Sequence, residues 1–261
     1  MSEVILVASG KGGTGKTAVT ANLGALLARQ GYKVALLDMD MGMRNLDLYL
    51  GLENRVVYNI MDVFSGICRI KRALIKDRRF ENLYLMSACP RKDNRDITPL
   101  HMQVLCRKLK KEFDYIFIDC PAGIGAEFDI SLGGADRLLL VTEADIASIR
   151  DADVLSRYAK KAGIDNTCYI VNKVRVDLMN QHLVPDLKEI AEVLSNEMIG
   201  LIQFDDNIYI STNRGIPIVY KEHTYIEENF RNILGRLLEK GEKKKPAETG
   251  ESGEQVENRG Q

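Results

Sequence analysis

The feature that most constrains this chain is the run Gly10-Lys11-Gly12-Gly13-Thr14-Gly15-Lys16-Thr17, set between the apolar stretch Val4–Ala8 and a helical pattern over Ala18–Gln30. It satisfies G-x-x-x-x-G-K-[ST] with Gly10, Gly15, Lys16 and Thr17. Glycines let several backbone N–H groups converge on one anion with no Cβ in the way. A following helix directs free N–H donors and a partial positive charge at the same point. A strand, this loop and a helix in succession predict a phosphate cradle. Lys16 is expected to reach β and γ phosphates, and the Thr17 hydroxyl to ligate Mg²⁺.

The rest of the chain suits a fold that carries such a loop. Val4–Ala8, Val34–Leu37, Leu83–Met86, Tyr115–Ile118, Leu138–Val141, Cys168–Val171 and Met198–Ile202 read as strands. Several are apolar on successive residues, as strands covered on both faces are. Most segments between them are long enough for crossover helices, and Gly31 stands where a helix over Ala18–Gln30 would need its C-cap. The expectation is an α/β three-layer sandwich, a mostly parallel β-sheet with helices on both faces.

Composition sets the boundaries. At 261 residues one core is expected, and a net charge of −1 gives no support to a dominant nucleic-acid partner. Five cysteines without a Cys-x-x-Cys pair read as reduced thiols rather than ligands of an iron–sulfur cluster. His101, His182 and His223 show no ligand spacing. The chain lacks a run of about 18 apolar residues and an N-terminal signal pattern. After Lys240 the composition turns to Lys, Glu, Gly and Ser, so residues 1–240 read as one domain and Gly241–Gln261 as a disordered polar tail. The pattern over Tyr225–Lys240 places Ile226, Phe230, Ile233, Leu234, Leu237 and Leu238 on one face, a core helix.

Two acidic strand ends complete the site. Val34–Leu37 leads into Asp38-Met39-Asp40, and Tyr115–Ile118 into Asp119-Cys120-Pro121-Ala122-Gly123. Ligands of open α/β sheets bind beyond the carboxyl ends of the strands, where these carboxylates fall. Asp119 is the candidate for the Mg²⁺ shell. Each acid taken alone also reads as an N-cap after a strand.

The string GKGGTGKT resembles the deviant Walker A box of the MinD/ParA superfamily, P-loop NTPases of the SIMIBI type. Arg44-Asn45-Leu46-Asp47-Leu48, Ala73-Leu74-Ile75-Lys76-Asp77, Asp119 through Ile124 and Ser148-Ile149-Arg150-Asp151-Ala152-Asp153 are similar to the MinD branch, over about residues 2–240. The resemblance implies an ATPase that binds MgATP, forms a homodimer in the ATP state and governs where a cell divides. It assigns phosphate binding to Gly10, Lys11, Gly12, Gly13, Thr14, Gly15, Lys16 and Thr17. Lys11 becomes a contact to the partner subunit's nucleotide; read from the residues alone it is a solvated lysine. Catalysis falls to Lys11, Lys16 and Asp40, with Asp40 orienting the attacking water. Metal binding falls to Thr17, Asp38 and Asp119. Pro121-Ala122-Gly123 becomes switch II, and Asn172 and Asp205 the base pocket. Gln203 stands where the family often has proline, and Asn172 also reads as a turn residue.

Asp151 and Asp153 match the surface on which the branch binds its MinC- and MinE-type partners; acidic residues at a helix start are also ordinary. The branch usually ends in an amphipathic membrane helix. Lys243-Lys244-Lys245-Pro246 and the polar tail offer charge without a hydrophobic face, so insertion is not expected. The implied location is the cytoplasm or the inner face of the cell membrane. A DNA-binding partition ATPase is the alternative, with Arg107, Lys108, Lys110 and Lys111 as its visible basic cluster, although such a run is usually a solvated face. A flagellar-number ATPase would carry an extra N-terminal segment, for which a first strand beginning by Val4 leaves no room.

Overall fold

The computed structural model describes residues 2–91 and 97–242. Its strands are β1 (Glu3–Ala8), β2 (Val34–Asp38), β3 (Ile75–Lys76), β4 (Leu83–Met86), β5 (Tyr115–Asp119), β6 (Arg137–Glu143), β7 (Thr167–Val174) and β8 (Glu197–Gln203). They form one sheet in the order β3-β4-β2-β5-β1-β6-β7-β8. Every neighbouring pair is parallel except β3 with β4. The mostly parallel sandwich expected from the sequence is the observed fold.

The unbroken apolar runs have the predicted cause. Val4 through Ala8 are fully buried, as are Val34 through Leu37. Successive side chains of a strand point to opposite faces, so such a strand must be covered twice. Helices Lys16–Arg29 and Tyr225–Glu242 cover one face over Ile5, Val7, Leu36 and Phe117. Helices Pro99–Leu109, Ala126–Leu132 and Ile146–Lys161 cover the other over Leu6, Ile118 and Leu140.

The predicted core face of helix Tyr225–Glu242 is observed. Ile226, Phe230, Ile233, Leu234 and Leu237 are buried and Leu238 packs at their margin. Arg137, whose side chain is fully buried, bolts this helix down: Nη1 donates to the Leu237 carbonyl at 2.6 Å and Nη2 pairs with Glu3 at 2.8 Å. The helix runs through Gly241 and Glu242, two residues past the expected domain end. Lys243-Lys244-Lys245-Pro246 and the rest of the expected tail lie outside the described residues.

Parallel strands direct all their carboxyl ends to one rim. The loops after β1, β2 and β5, neighbours at the centre of the sheet, therefore meet there, and they hold Gly10–Thr17, Asp38–Asp40 and Asp119–Gly123.

Candidate functional site

The glycine-rich loop is shaped by what surrounds it. Gly15 takes the N-cap position of helix Lys16–Arg29 with φ +91°, a left-handed conformation that glycine adopts without strain. The helix therefore starts at Lys16 rather than at Ala18, and its first free N–H groups face the loop. A Cβ on Gly15 would stand 2.3 Å from Asn172 Nδ2, and one on Gly10 would stand 2.2 Å from Asp151 Cβ. Ser9 Oγ donates to the Lys11 carbonyl at 2.7 Å and braces the loop from within. Lys16 is buried.

Asp38 and Asp119 are register partners on β2 and β5. Both are buried, Asp38 completely. Burial, with Asp119 beside it, pushes the Asp38 carboxyl up to about 8. Burial pushes Asp119 up to about 6, against the pull of Thr17 and Lys16. Asp38 Oδ1 accepts the Asp40 N–H at 2.9 Å and Oδ2 accepts the Leu46 N–H at 3.1 Å, so this carboxylate anchors both ends of the loop that bears Asp40.

The donor set fits Mg²⁺. Asp119 Oδ1 is buried with no hydrogen-bond partner beside Thr17 and Lys16, and a buried oxygen left so is suited to a cation or its water. Among the described residues no three His, Cys, Asp or Glu side chains gather into a cage. A cation held by few protein oxygens keeps water and phosphate ligands, as Mg²⁺ does.

A cavity of about 160 Å³ lies between Asp40 and Met41 on one side and Pro121, Ala122 and Gly123 on the other. The Gly123 amide donates to the Ser9 carbonyl at 2.9 Å. The segment Pro121-Ala122-Gly123 is thus tied to the end of β1.

Lys11 is half-exposed, and its Nζ lies 3.5 Å from Asp145 Oδ2. Asp145 caps helix Ile146–Lys161 by accepting the Ser148 N–H at 3.0 Å. Asp151 and Asp153 lie on this helix, Asp151 against Gly10 and Asp153 paired with Arg157 at 2.7 Å.

Asn172 is a strand residue, which overturns its reading as a turn residue: β7 continues through it to Val174 with a register shift against β8. Its Nδ2 donates to the Thr14 carbonyl at 2.7 Å. Asp205 is the N-cap of helix Asp206–Asn213, and its Oδ1 accepts from the Asn207 backbone at 2.7 Å and side chain at 2.8 Å.

The arrangement has known counterparts. The CobQ/CobB/MinD/ParA nucleotide binding domain family matches residues 5–218. The septum site-determining protein MinD of Bacillus subtilis is 40% identical over 240 residues, which is 91% of this chain and 90% of that one.

The chain belongs to the MinD family.

Solved MinD structures share its fold. MinD in the MinC:MinD cell division protein complex of Aquifex aeolicus has 37% identity and a TM-score of 0.85, over 91% of this chain and 96% of that one. Pyrococcus horikoshii MinD, solved in complex with Mg-ADP, has 30% identity and a TM-score of 0.81, over 91% and 96%.

Two residues at this MinD-type site were not anticipated from the sequence. Lys173, at φ +53°, donates from Nζ to the Gly13 carbonyl and pairs with Glu143 at 3.1 Å. Asp145 receives Lys11. Neither belongs to a motif: in the sequence Lys173 is only a polar residue near the end of a strand and Asp145 only a helix cap.

Proposed function

We propose that this chain is a MinD-type ATPase switch that binds MgATP, pairs with a second copy and, through that cycle, regulates where the division septum forms. The observation that carries the proposal is the convergence of the glycine-rich loop with Asp38 and Asp119 in register at the centre of the sheet. The family's names and the Mg-ADP and MinC complexes of its relatives support the same reading.

Each residue has a role in this scheme. The amides of Gly10, Gly12, Gly13, Thr14 and Gly15 and the start of the helix neutralise the phosphates. Lys16 adds charge at the β and γ oxygens, and Thr17 with Asp119 holds Mg²⁺. Asp38 keeps a lone pair on each oxygen for the metal's water while it pins the switch loop. Asp40, beside the small cavity, orients the attacking water, and no covalent intermediate is required. Lys11 leaves Asp145 and reaches the partner's triphosphate. Asn172 has its carbonyl oxygen free for the adenine amino group while its amide nitrogen braces the loop. Asp205 acts on the base edge chiefly by fixing the start of its helix. The helix carrying Asp151 and Asp153 is the docking surface for a MinC- or MinE-type protein. No helix among the described residues is long and apolar enough to cross a membrane, and contact with one is peripheral in this reading.

The test is sedimentation and phosphate release by wild type and Asp40→Ala, each with ATP and with ADP. Wild type is expected to dimerise with ATP and return to monomer as hydrolysis proceeds. Asp40→Ala is expected to remain dimeric with ATP and release little phosphate. A monomer under every condition overturns the switch.

A further inference from the structure

A wide cavity lies far in sequence from the glycine-rich loop. It is an open groove of about 1250 Å³ between helix Pro99–Leu109 and the segment that holds helices Ile60–Phe64 and Ile70–Ala73. Sites for small molecules run to roughly 1,000 Å³ at most. Val63, Phe64, Ile70, Leu100, Val104 and Leu109 line it. Leu100 is 64% exposed and Val104 40%, an uncovered stripe at i and i+4.

The rim is cationic. Arg69, Lys71, Arg72, Lys108 and Lys111 line the groove against a single acid, Glu112, which Lys71 already engages at 3.2 Å. A chain of net charge −1 has therefore gathered positive charge at this place. Basic residues in the last turn of Pro99–Leu109 also suit the helix dipole, which accounts for Lys108 on its own. It does not account for Arg69, Lys71 and Arg72 on the opposite wall.

We propose that this groove docks an acidic amphipathic helix of a partner protein. Leu100, Val104 and Lys108 follow one another at i, i+4 and i+8, about 12 Å along the helix. The occupant must therefore be apolar at one end and acidic at the other over at least two turns, as helices that lie in grooves are. A bilayer is a poorer fit, because insertion needs a broader apolar face than the exposed pair Leu100 and Val104 offers among these cations. Single-stranded nucleic acid is also a poorer fit: Phe113 is buried, the rings of Phe64 and His101 already meet edge to face, and the rest of the apolar lining is mostly aliphatic. The proposal does not depend on the nucleotide cycle.

The experiment uses the full chain and fluorescently labelled helical peptides of Leu, Ala and Glu, with a scrambled peptide and a Lys-for-Glu peptide beside them. The acidic amphipathic peptide is expected to bind and to weaken as salt rises. Val104→Asp and the double variant Arg72→Glu with Lys108→Glu are expected to weaken it by roughly tenfold or more. The double variant should then prefer the Lys-for-Glu peptide. All these side chains are exposed, and unchanged circular dichroism and ATP hydrolysis establish that the variants are folded. No binding of the acidic peptide, or equal binding by wild type and both variants, overturns the proposal. So does pelleting with phosphatidylglycerol vesicles that Val104→Asp abolishes while the peptide fails to bind, which would make the groove a lipid site.

Discussion

Lys11 Nζ rests 3.5 Å from Asp145 Oδ2, so the lysine that sets this phosphate loop apart from an ordinary one is held by its own subunit. The pair is partly exposed, and such pairs contribute about 0.2–1 kcal/mol. A partner's triphosphate offers more charge, so the exchange costs little. Asp145→Ser keeps a helix cap and removes the ion pair. It is expected to tighten ATP-dependent self-association by up to about fivefold. Lys11→Ala is expected to stay monomeric with ATP. Sedimentation velocity over a range of protein concentrations measures both, and a dimer of normal strength from Lys11→Ala would contradict the scheme.

Two glycines of the same loop should respond differently to the same change. A Cβ on Gly10 would overlap Asp151, whereas one on Gly12 would meet nothing within 4 Å. Gly10→Ala is expected to lower the stability of the nucleotide-free protein by about 1–3 kcal/mol, the usual cost of overpacking. Gly12→Ala should leave it within about 0.5 kcal/mol. Urea titration compares them directly.

The paired acids make stability depend on pH in the direction opposite to the usual carboxylate. Asp38 is pushed up to about 8 and Asp119 to about 6, from an ordinary value of 3.8. The folded nucleotide-free protein thus keeps protons that the unfolded chain has lost. Their contribution is present below about pH 4 and is lost as pH rises through 6 and then 8. The limiting slope for one proton is about 1.4 kcal/mol per pH unit. The melting temperature is expected to fall from pH 5 to 8, and Asp38→Asn should flatten the fall. Mg-nucleotide should expel protons at pH 7, seen as a calorimetric heat that changes with the buffer's ionisation enthalpy. A heat independent of buffer would refute this.

Asn172 and Lys173 are adjacent and brace adjacent carbonyls, those of Thr14 and Gly13. Asn172→Ala leaves the Thr14 carbonyl unpaired, at a cost of about 1–3 kcal/mol. It is expected to weaken ATP binding roughly tenfold or more and to narrow the preference for ATP over GTP. Lys173→Ala sits on the surface and should weaken both nucleotides alike with little change in melting temperature. Competition binding with the two triphosphates separates the residues.

Much of this was legible in the sequence because the signals were strong and local. A parallel strand buried on both faces must be apolar throughout, so all seven parallel strands were located to within a few residues. β3 escaped because Ile75–Lys76 has two residues and no periodicity. The end of β7 escaped because Asn172 and Lys173 are polar: tertiary contacts with the phosphate loop, not strand propensity, hold them in the sheet. At the site, the meeting of the loop and the two acids was readable because each follows directly on an apolar run that marks a central strand. The partners of those residues were not. Nothing in the sequence around Asp145 distinguishes the acid that receives Lys11 from any other helix cap, and Asp205 carries a motif position while its carboxylate is spent on capping. The groove was equally hidden, because its cations come from two segments that only folding brings face to face.

The bolt formed by Arg137 bears on how this protein is made. Its guanidinium lies wholly inside, with the Leu237 carbonyl from one end of the chain and the Glu3 carboxylate from the other. A guanidinium shut away without those acceptors is strongly destabilising. A nascent chain that has not yet exposed Leu237 outside the ribosome cannot close this interior, whatever it has already arranged around β1. The completed fold should therefore form only when the helix Tyr225–Glu242 has emerged.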